Sequence, residues 1–252
     1  MLEIIVLSFI QGVTEFIPVS SSSHLIIISS YFNFQNQNLS IDVSLHIGSF
    51  LAVIFFFKNE VFNFFKNKLL FIKIIIASIP VMLVGLILVK LNLIEALRNI
   101  KVIGWTTLIF GILLLVSDQK SRERKIENNF DIKSALLIGL FQVLSLIPGV
   151  SRSGISITGA RFLKFKRIDA AKISFLLSIP TLAAVSIFGI KNLIESQTFE
   201  ISFHNLLSII GSFIFSLITK KYFLKFIEKF SLKIFVIYRI LLGVLLLSIS
   251  YL

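Results

Sequence analysis

The chain has 252 residues, of which 56% are hydrophobic and only 15% charged, and its mean hydropathy is +0.95. This composition excludes a soluble globular domain and predicts an integral membrane protein. The formal net charge of +12 does not indicate nucleic-acid binding, because the basic residues lie in loops between apolar segments, where lipid headgroups and membrane topology account for them.

Apolar segments long enough to cross a bilayer, or nearly so, predict about six transmembrane helices. Two further apolar regions, 2–32 and 134–163, are interrupted near the middle by proline, serine and a charged residue. A straight helix through either region would expose the polar cluster to lipid, so we expect each region to form a re-entrant helical hairpin with the cluster at its tip. The predicted spans are 43–57, 69–89, 102–117, 173–190, 204–219 and 234–252.

The basic residues also predict the topology. The positive-inside rule places four basic segments in the cytoplasm: 58–68, 118–133, 161–172 and 220–233. Region 134–163 must then enter and leave by the cytoplasmic face, and region 2–32 by the outer face. The basic loop 90–101 lies outside, against the rule. The sequence therefore predicts one all-α polytopic membrane domain, residues 1–252, made of two inverted repeats at about 1–125 and 126–252.

The two interrupted regions carry similar motifs. Residues 11–24 read QGVTEFIPVSSSSH, and residues 146–154 read LIPGVSRSG. When the motifs are aligned on their prolines, Ser21 falls on Ser151. Polar atoms at membrane depth persist only where protein or a water-filled cavity satisfies them. We therefore expect both hairpin tips to form one site near the middle of the membrane.

Arg152 indicates an anionic ligand, because a guanidinium at membrane depth needs a negative partner and its planar fork suits phosphate. Neighbouring glycines allow close backbone approach, and amides at a helix start favour an anion. An arginine paired with a buried carboxylate purely for assembly is the alternative. The predicted phosphate-binding residues are Ser20, Ser22, Gly149, Ser151, Arg152 and Ser153.

Glu15 lies four residues after Gln11, so the two side chains share one face of a helix. A carboxylate and an amide oxygen at this spacing could ligate a divalent cation, which makes Gln11 and Glu15 the predicted metal ligands. Glu15 could instead act as a general base or as the counter-ion of Arg152, and Gln11 could simply join two helices by a hydrogen bond.

His24 follows four serines, and a histidine there can transfer a proton or attack phosphorus. Ser21 is the predicted nucleophile or phosphate-binding hydroxyl because it aligns with Ser151, with Ser20 and Ser22 as rivals. His46 could reach the site, but a packing role is the preferred interpretation. The predicted catalytic residues are Glu15, Ser21, His24 and Arg152.

These motifs resemble the two signatures of the bacitracin-resistance undecaprenyl-diphosphatase family. The first is Gln11-x-x-x-Glu15 leading to Pro18-Val-Ser-Ser and His24, and the second is the Pro-Gly-x-Ser-Arg-Ser-Gly box at 148–154. The stretch 42–53 and the pair Tyr238-Arg239 are also similar to family sequence, so the resemblance covers nearly the whole chain. Gln11 stands where many members have glutamate, and Ser22-Ser23 where Thr-Gly is more usual.

The resemblance implies a multi-pass enzyme of the bacterial inner membrane that hydrolyses undecaprenyl diphosphate to undecaprenyl phosphate and inorganic phosphate. Such an enzyme recycles the lipid carrier for peptidoglycan synthesis and confers bacitracin resistance. The family is also associated with re-entrant inverted repeats, a site that opens to the periplasm, and a divalent cation, Mg²⁺ or Ca²⁺. The expected partners are a polyprenyl diphosphate lipid and the membrane, without nucleic acid, and a homodimer is one option for the assembly.

A transporter or flippase for an anionic lipid or solute is the alternative function. Broken helices around a midplane site within inverted repeats are also typical of transporters. Binding alone needs Arg152 and the serines, whereas hydrolysis also needs the proton-transfer groups Glu15 and His24.

Overall fold

The computed structural model describes residues 1–62, 68–91, 93, 97–119, 123–195 and 202–251, and 84% of the chain is helical. The long apolar runs form helices because leucine, isoleucine and phenylalanine side chains can face lipid or the protein core, and because a helix hydrogen-bonds its own backbone N–H and C=O groups. The helices in the described part are α1 (Leu2–Thr14), α2 (Ser21–Phe32), α3 (Leu39–Phe56), α4 (Lys58–Phe62), α5 (Lys68–Lys90), α6 (Ile100–Asp118), α7 (Ile126–Asn129), α8 (Ile132–Val143), α9 (Arg152–Phe162), α10 (Arg167–Glu195), α11 (Phe203–Lys229) and α12 (Lys233–Tyr251), with a 3₁₀ turn at Leu144–Leu146.

Within the described residues, six helices are long and apolar enough to cross a bilayer, namely α3, α5, α6, α10, α11 and α12, which confirms the predicted number of spans. Segment 220–233 was predicted as a basic loop, and this prediction is wrong for most of its length. Helix α11 continues to Lys229, so only residues 230–232 connect it to α12. Lysine favours helix, and a helix can extend past the apolar layer as long as its charged residues reach water or headgroups.

Both interrupted regions form two helices separated by a short break. The arms of the first hairpin, α1 and α2, have 13 and 12 residues, and those of the second, α8 and α9, have 12 and 11. At 1.5 Å per residue an arm is about 20 Å long or less, whereas the apolar layer of a bilayer is about 30 Å thick. No arm can therefore cross alone. The re-entrant path itself stays a prediction.

The surface of α11 shows how polarity is arranged in the bundle. Ser208, Ser212 and Ser216 recur every four residues and are fully buried, while Ile210, Ile214 and Ile218 on the opposite side are exposed. Apolar side chains thus face lipid and hydroxyls face neighbouring helices. The Ser49 hydroxyl of α3 hydrogen-bonds Ser212 at 2.9 Å and Ser216 at 3.1 Å. Such small polar contacts hold helices together in a membrane, because lipid is as apolar as the side chains and the hydrophobic effect does not drive helices to associate there.

The two halves have the same order of elements, a broken hairpin followed by three long helices. Helix α1 packs on α11, and its counterpart α8 packs on α5; α3 packs on α10 and α11, and α6 packs on α12. Close approach depends on glycine: a Cβ on Gly48 would collide with the Ile209 carbonyl, and one on Gly139 with the Ala77 carbonyl. This packing encloses both hairpin tips within the bundle. The inverted relation of the halves stays a prediction.

Candidate active site

The two helix breaks end in the same backbone conformation. Ser20 precedes α2 with φ 77°, and Ser151 precedes α9 with φ 70°. These residues are therefore structural counterparts, which corrects the proline-based alignment by one position: Ser21 matches Arg152 rather than Ser151. The left-handed backbone at each break lets α2 and α9 both begin at the same cavity, where the amides of a first turn favour an anion.

Glu15 is the centre of the site. It is 7% exposed, and its Oε1 accepts a hydrogen bond from Arg152 Nη2 at 2.7 Å. Its Oε2 accepts from Ser21 Oγ at 2.6 Å and from Gln11 Nε2 at 3.1 Å. The first residues of α2 and α9 thus bind the two oxygens of one carboxylate. Arg152 also donates from Nη1 to the Ser174 carbonyl at 3.2 Å.

His46 belongs to the site, although the sequence favoured a packing role. Its Nδ1 lies 3.1 Å from Gln11 Nε2, and its ring lines the same cavity as Glu15. The Gln11 amide nitrogen thus lies between Glu15 Oε2 and the His46 ring. The available signal was the resemblance of the 42–53 stretch to family sequence, because this stretch contains His46.

His24 lies in a different environment from the other predicted catalytic residues. Its Nδ1 is 2.6 Å from the Ser20 carbonyl, and its Nε2 is 2.6 Å from the Tyr238 hydroxyl. It lines an apolar groove with Tyr238, Phe235 and Ile28, not the cavity that contains Glu15. The contacts of His24 therefore hold the backbone turn at Ser20, and its role in proton transfer stays a prediction.

The remaining predicted residues divide between the cavity and the scaffold behind it. Ser153 Oγ donates to the Ile17 carbonyl at 2.8 Å, which joins the two hairpins. Gly149, with φ 92°, packs against Ile103 and Thr106 of α6, where a Cβ would not fit. Neither lines the cavity. Ser151 Oγ lies 3.2 Å from Ser153 Oγ, and it accepts from the Gly154 amide at 3.1 Å.

The cavity has a volume of about 210 Å³. One wall is polar and one is apolar, so a headgroup and an adjoining hydrocarbon chain could share it. The polar wall includes six of the predicted residues, and the apolar wall comes from α5, α10 and the turn before the second break. Its lining residues are Glu15, Ser20, Ser21, Ser22, His46, Val81, Gln142, Ser145, Leu146, Ser151, Arg152, Thr181, Leu182 and Val185.

Arg239 was not predicted as a site residue, yet it joins both helix breaks from behind. It is fully buried in α12 and donates to the carbonyls of Pro18 at 3.3 Å, Val150 at 3.1 Å and Gly149 at 2.9 Å, and to Thr107 of α6 at 3.2 Å. An arginine inside an otherwise apolar helix was the available signal, because a charge at membrane depth marks a site or its support.

The donor set near Glu15 fits a divalent cation only in part. In the part of the chain that the structure describes, no three acidic, histidine or cysteine side chains group as in an all-protein metal site. Gln11 Oε1 is buried without a hydrogen-bond partner, on the residue that contacts Glu15. One carboxylate and one such amide oxygen could hold Mg²⁺ or Ca²⁺ if phosphate oxygens and water completed the coordination.

The site combines a carboxylate that binds a serine hydroxyl and an arginine with two helices that begin at the same cavity. This arrangement defines a class of protein: a polytopic membrane protein with a site for an anionic, phosphate-like group. The chain matches the family model described as "Bacitracin resistance protein BacA" over residues 4–245. It therefore belongs to the BacA family.

Individual relatives cover almost the whole chain. A protein of Pelagibacter ubique named undecaprenyl-diphosphatase is 49% identical over 251 residues, 99% of this chain and 98% of its own length. Proteins with the same name from Saccharophagus degradans and Hahella chejuensis are 43% and 42% identical, covering 96% of this chain and 95% of theirs. The chain is similar to these proteins over at least 96% of its length.

Proposed function

We propose that this protein hydrolyses undecaprenyl diphosphate to undecaprenyl phosphate and inorganic phosphate, recycling the lipid carrier for peptidoglycan synthesis and thereby conferring bacitracin resistance. The observation that carries the proposal is the Ser21–Glu15–Arg152 arrangement, in which one carboxylate contacts both a nucleophile and a phosphate-binding cation. A transporter is not favoured, because the relatives are named as diphosphatases and a binding site alone has no need of a serine–carboxylate pair.

Substrate binding begins with the attraction between the negative diphosphate and the Arg152 guanidinium. The diphosphate enters the cavity, and Arg152 turns its planar fork from Glu15 toward the terminal phosphate, which it binds bidentately. Amides at the starts of α2 and α9 and the hydroxyls of Ser20, Ser22 and Ser151 accommodate the remaining phosphate oxygens. As negative charge builds on the transferring group, these donors stabilise it.

Ser21 is the nucleophile in this proposal, and Glu15 is its general base. The Ser21 proton passes to Glu15 over the existing 2.6 Å hydrogen bond while Oγ attacks the terminal phosphorus. The bond between that phosphorus and the bridging oxygen breaks, and undecaprenyl phosphate leaves. Water then attacks the phosphoserine, Glu15 returns its proton to the serine oxygen, and inorganic phosphate leaves with the oxygen and both hydrogens of that water.

A divalent cation would be held by Gln11 and Glu15 together with phosphate oxygens, where it would neutralise charge on the diphosphate. His46 faces the same cavity and fixes the Gln11 amide, so it keeps the carboxylate and the amide oxygen aligned. His24 supports the site from the other side of the turn, through the Ser20 carbonyl.

The location we propose is the bacterial inner membrane, with the cavity open to the periplasm. The support comes from the helices that line the cavity. With the basic segments in the cytoplasm, α5 and α10 both run outward, and their lining residues Val81, Leu182 and Val185 lie past the middle of each helix. His46 lies in the outer half of α3, which runs inward. With this topology, all three helices support a cavity nearer the outer face.

Phosphate release from a C55 diphosphate tests the reaction. Purified wild-type protein should release inorganic phosphate, and Glu15→Gln should lower kcat by roughly 10³-fold, since glutamine keeps the hydrogen bonds but cannot act as a base. Glu228→Gln, at an exposed position, is the matched control. Wild-type protein without activity would refute the function. Retained activity with lower thermal stability in Glu15→Gln would make Glu15 a structural counter-ion. A chelator in parallel assays tests the cation.

The orientation is tested with single cysteines, because the chain contains none. An impermeant thiol reagent applied to intact cells without an outer-membrane barrier should label cysteines at Asn36 and Gln197 and spare those at Lys125 and Lys166; position 197 lies outside the described residues. Labelling at position 166 from outside would place the start of α10 in the periplasm and contradict the cytoplasmic entry of the second hairpin. The mass of the same protein in detergent tests the homodimer.

A further inference from the structure

Gln142 is the counterpart of Gln11 in the second hairpin. Each glutamine lies in the arm before the break, nine residues ahead of the serine with positive φ, Ser20 or Ser151. Both glutamine side chains are fully buried. The proline-based alignment did not show this pair, and the function proposed above gives a role to Gln11 alone.

The two glutamines leave opposite ends of their amides without a hydrogen-bond partner among the described residues. Gln11 Nε2 lies within hydrogen-bond distance of Glu15 and His46, and its Oε1 has no partner. Gln142 Oε1 accepts from Ser156 Oγ at 3.3 Å, and its Nε2 has no partner. A buried amide N–H left without an acceptor is costly, so this position favours a ligand that accepts hydrogen bonds.

Gln142 lines the cavity that contains Glu15, and it can donate where its polar neighbours cannot. Ser145 Oγ already donates to the Gln142 carbonyl at 2.6 Å, and Thr181 Oγ1 already donates to the Leu177 carbonyl at 3.0 Å. A hydroxyl that has donated its proton can only accept, whereas an amide N–H can donate to an anion. Gln142 Nε2 is therefore the donor that this part of the lining offers to a negative group.

Packing places Gln142 beside the apolar wall of the cavity. Helix α8 packs on α5, and Gly139 of α8 lies directly against the Ala77 carbonyl of α5. About one turn further along the two helices, Gln142 and Val81 line the same cavity. Leu146, about one turn beyond Gln142, lines it as well. The unpartnered amide thus lies where the polar lining meets the apolar lining.

This location distinguishes the two phosphates of the substrate. In the proposed reaction the terminal phosphate lies at Ser21, whose hydroxyl attacks it, and at Arg152. The hydrocarbon chain lies along the apolar wall. The phosphate that joins the chain to the terminal group must lie between these two regions, which is where Gln142 presents its N–H.

We propose that Gln142 is a substrate-binding residue that donates a hydrogen bond from Nε2 to the phosphate next to the hydrocarbon chain. The proposal rests on the proposed function of the site. Negative charge develops on this phosphate when the bond between the bridging oxygen and the terminal phosphorus breaks, so the same contact binds the leaving group. The paired glutamines then differ in role: Gln11 offers an amide oxygen beside Glu15, and Gln142 offers an amide N–H to phosphate.

The test uses two inhibitors that occupy different parts of the site. Undecaprenyl phosphate carries only the phosphate next to the chain, whereas inorganic phosphate takes the place of the terminal group. Release of label from a C55 diphosphate labelled in its terminal phosphate is measured with purified full-length protein, giving kcat, KM and both inhibition constants. The variant is Gln142→Met, because methionine is similar in length but has no donor.

The expected result is a selective loss of affinity. A hydrogen bond to a charged group is worth about tenfold or more in binding, so the inhibition constant of undecaprenyl phosphate should rise about tenfold in Gln142→Met. The inhibition constant of inorganic phosphate should stay within about twofold of the wild type. The value of kcat/KM should fall about tenfold, since the substrate carries the same phosphate.

Two controls separate binding from packing. Ser156→Ala removes the hydrogen bond that Gln142 makes within the protein but keeps the amide at the cavity, so both inhibition constants should stay within about twofold of the wild type. Gln119→Met is the same substitution at an exposed glutamine and should be neutral. Thermal unfolding in detergent is measured for every variant, so that a loss of stability is not mistaken for a loss of affinity.

Each outcome decides between roles. Wild-type protein without activity refutes the diphosphatase function itself. Active wild-type protein with both inhibition constants unchanged in Gln142→Met overturns the role of Gln142 alone. A rise confined to inorganic phosphate would place Gln142 at the terminal phosphate. An equal rise for both inhibitors, or the same rise in Ser156→Ala, would show that Gln142 only maintains the shape of the cavity. Both results contradict the proposal.

A folding defect is also decisive. If Gln142→Met does not fold, Gln142→Leu is the second variant without a donor, and it is measured in the same way. Failure of both variants to fold would make Gln142 a packing residue of the second hairpin and would overturn its role in binding.

Discussion

The two helix breaks, residues 15–20 and 147–151, have similar backbones but opposite chemistry. Each ends in a serine with positive φ, and each is followed by a helix whose first residue contacts Glu15. In the first hairpin that residue is Ser21, a hydroxyl, and in the second it is Arg152, a cation. The comparison teaches that one local shape, used twice, places a hydroxyl and a guanidinium on the two oxygens of a single carboxylate.

The largest expected effect comes from removing the Ser21 hydroxyl, the first group in this comparison. Ser21→Ala should lower kcat by about 10⁴-fold, because a nucleophile removed from a serine–carboxylate pair is not replaced by its neighbours. Brief incubation with substrate labelled in the terminal phosphate should trap label on wild-type protein and none on Ser21→Ala. Ser231→Ala, in the loop before α12, is the control. Label that persists in Ser21→Ala would identify another nucleophile, with Ser20 the nearest rival.

The next effect concerns the scaffold that both breaks share. Arg239→Met should destabilise the protein by roughly 3 kcal/mol, because carbonyl oxygens from both breaks lose their donor inside the bundle. Thermal unfolding in detergent measures the loss. Lys233→Met, exposed on the same helix, should match the wild type. An Arg239→Met protein of normal stability would show that the breaks hold their shape without this residue.

The second half of the comparison depends on the geometry of the cation. Arg152→Lys keeps the charge but loses the planar fork, so kcat should fall about 100-fold while the protein still folds. Lys166→Met tests whether any positive charge in the second half matters, and it should be neutral because Lys166 is exposed. Turnover close to the wild type in Arg152→Lys would mean that charge alone is sufficient and that bidentate binding is absent.

Most of the architecture was predictable from the sequence, because a segment that crosses lipid must be a long apolar helix and because proline, serine and a charged residue mark each break. Glu15, Ser21 and Arg152 were predictable for the same reason. The one-residue offset between the breaks was not, since it depends on the positive φ of Ser20 and Ser151 rather than on the prolines. The direction in which His24 points depends on the distant Tyr238.

The burial of Lys220 within α11 was missed for a related reason. Lysines at 221, 225 and 229 made the whole stretch resemble a basic loop. The spacing of Ser208, Ser212, Ser216 and Lys220 is a helical one, however, and it places the lysine on the buried face of α11. Periodicity was the better guide here than charge density, because a charge at membrane depth is retained only where the interior can accommodate it.

The smallest expected effect concerns the side-chain cap at the start of each hairpin. The second hairpin begins at Asp131, whose side chain accepts a hydrogen bond from the Ser134 amide at 2.7 Å, whereas the first begins at Met1 without a side-chain cap. Asp131→Ala should cost about 1 kcal/mol of stability, measured by thermal unfolding at pH 7. Asp131→Asn keeps a capping oxygen and should cost a few tenths of that.

The same residue gives a pH dependence of known sign. The hydrogen bonds from Ser134 lower the pKa of the Asp131 carboxyl, which lies outside the membrane-spanning segments. A carboxyl with a lowered pKa in the folded state contributes stability above its unfolded pKa and loses that contribution as pH falls through the folded value. Wild-type protein should therefore lose its advantage over Asp131→Asn as pH falls below about 4. If wild-type protein stayed more stable than Asp131→Asn in acid, the cap would act through its hydrogen-bond geometry alone. The two hairpins would then differ in shape at their starts but not in charge.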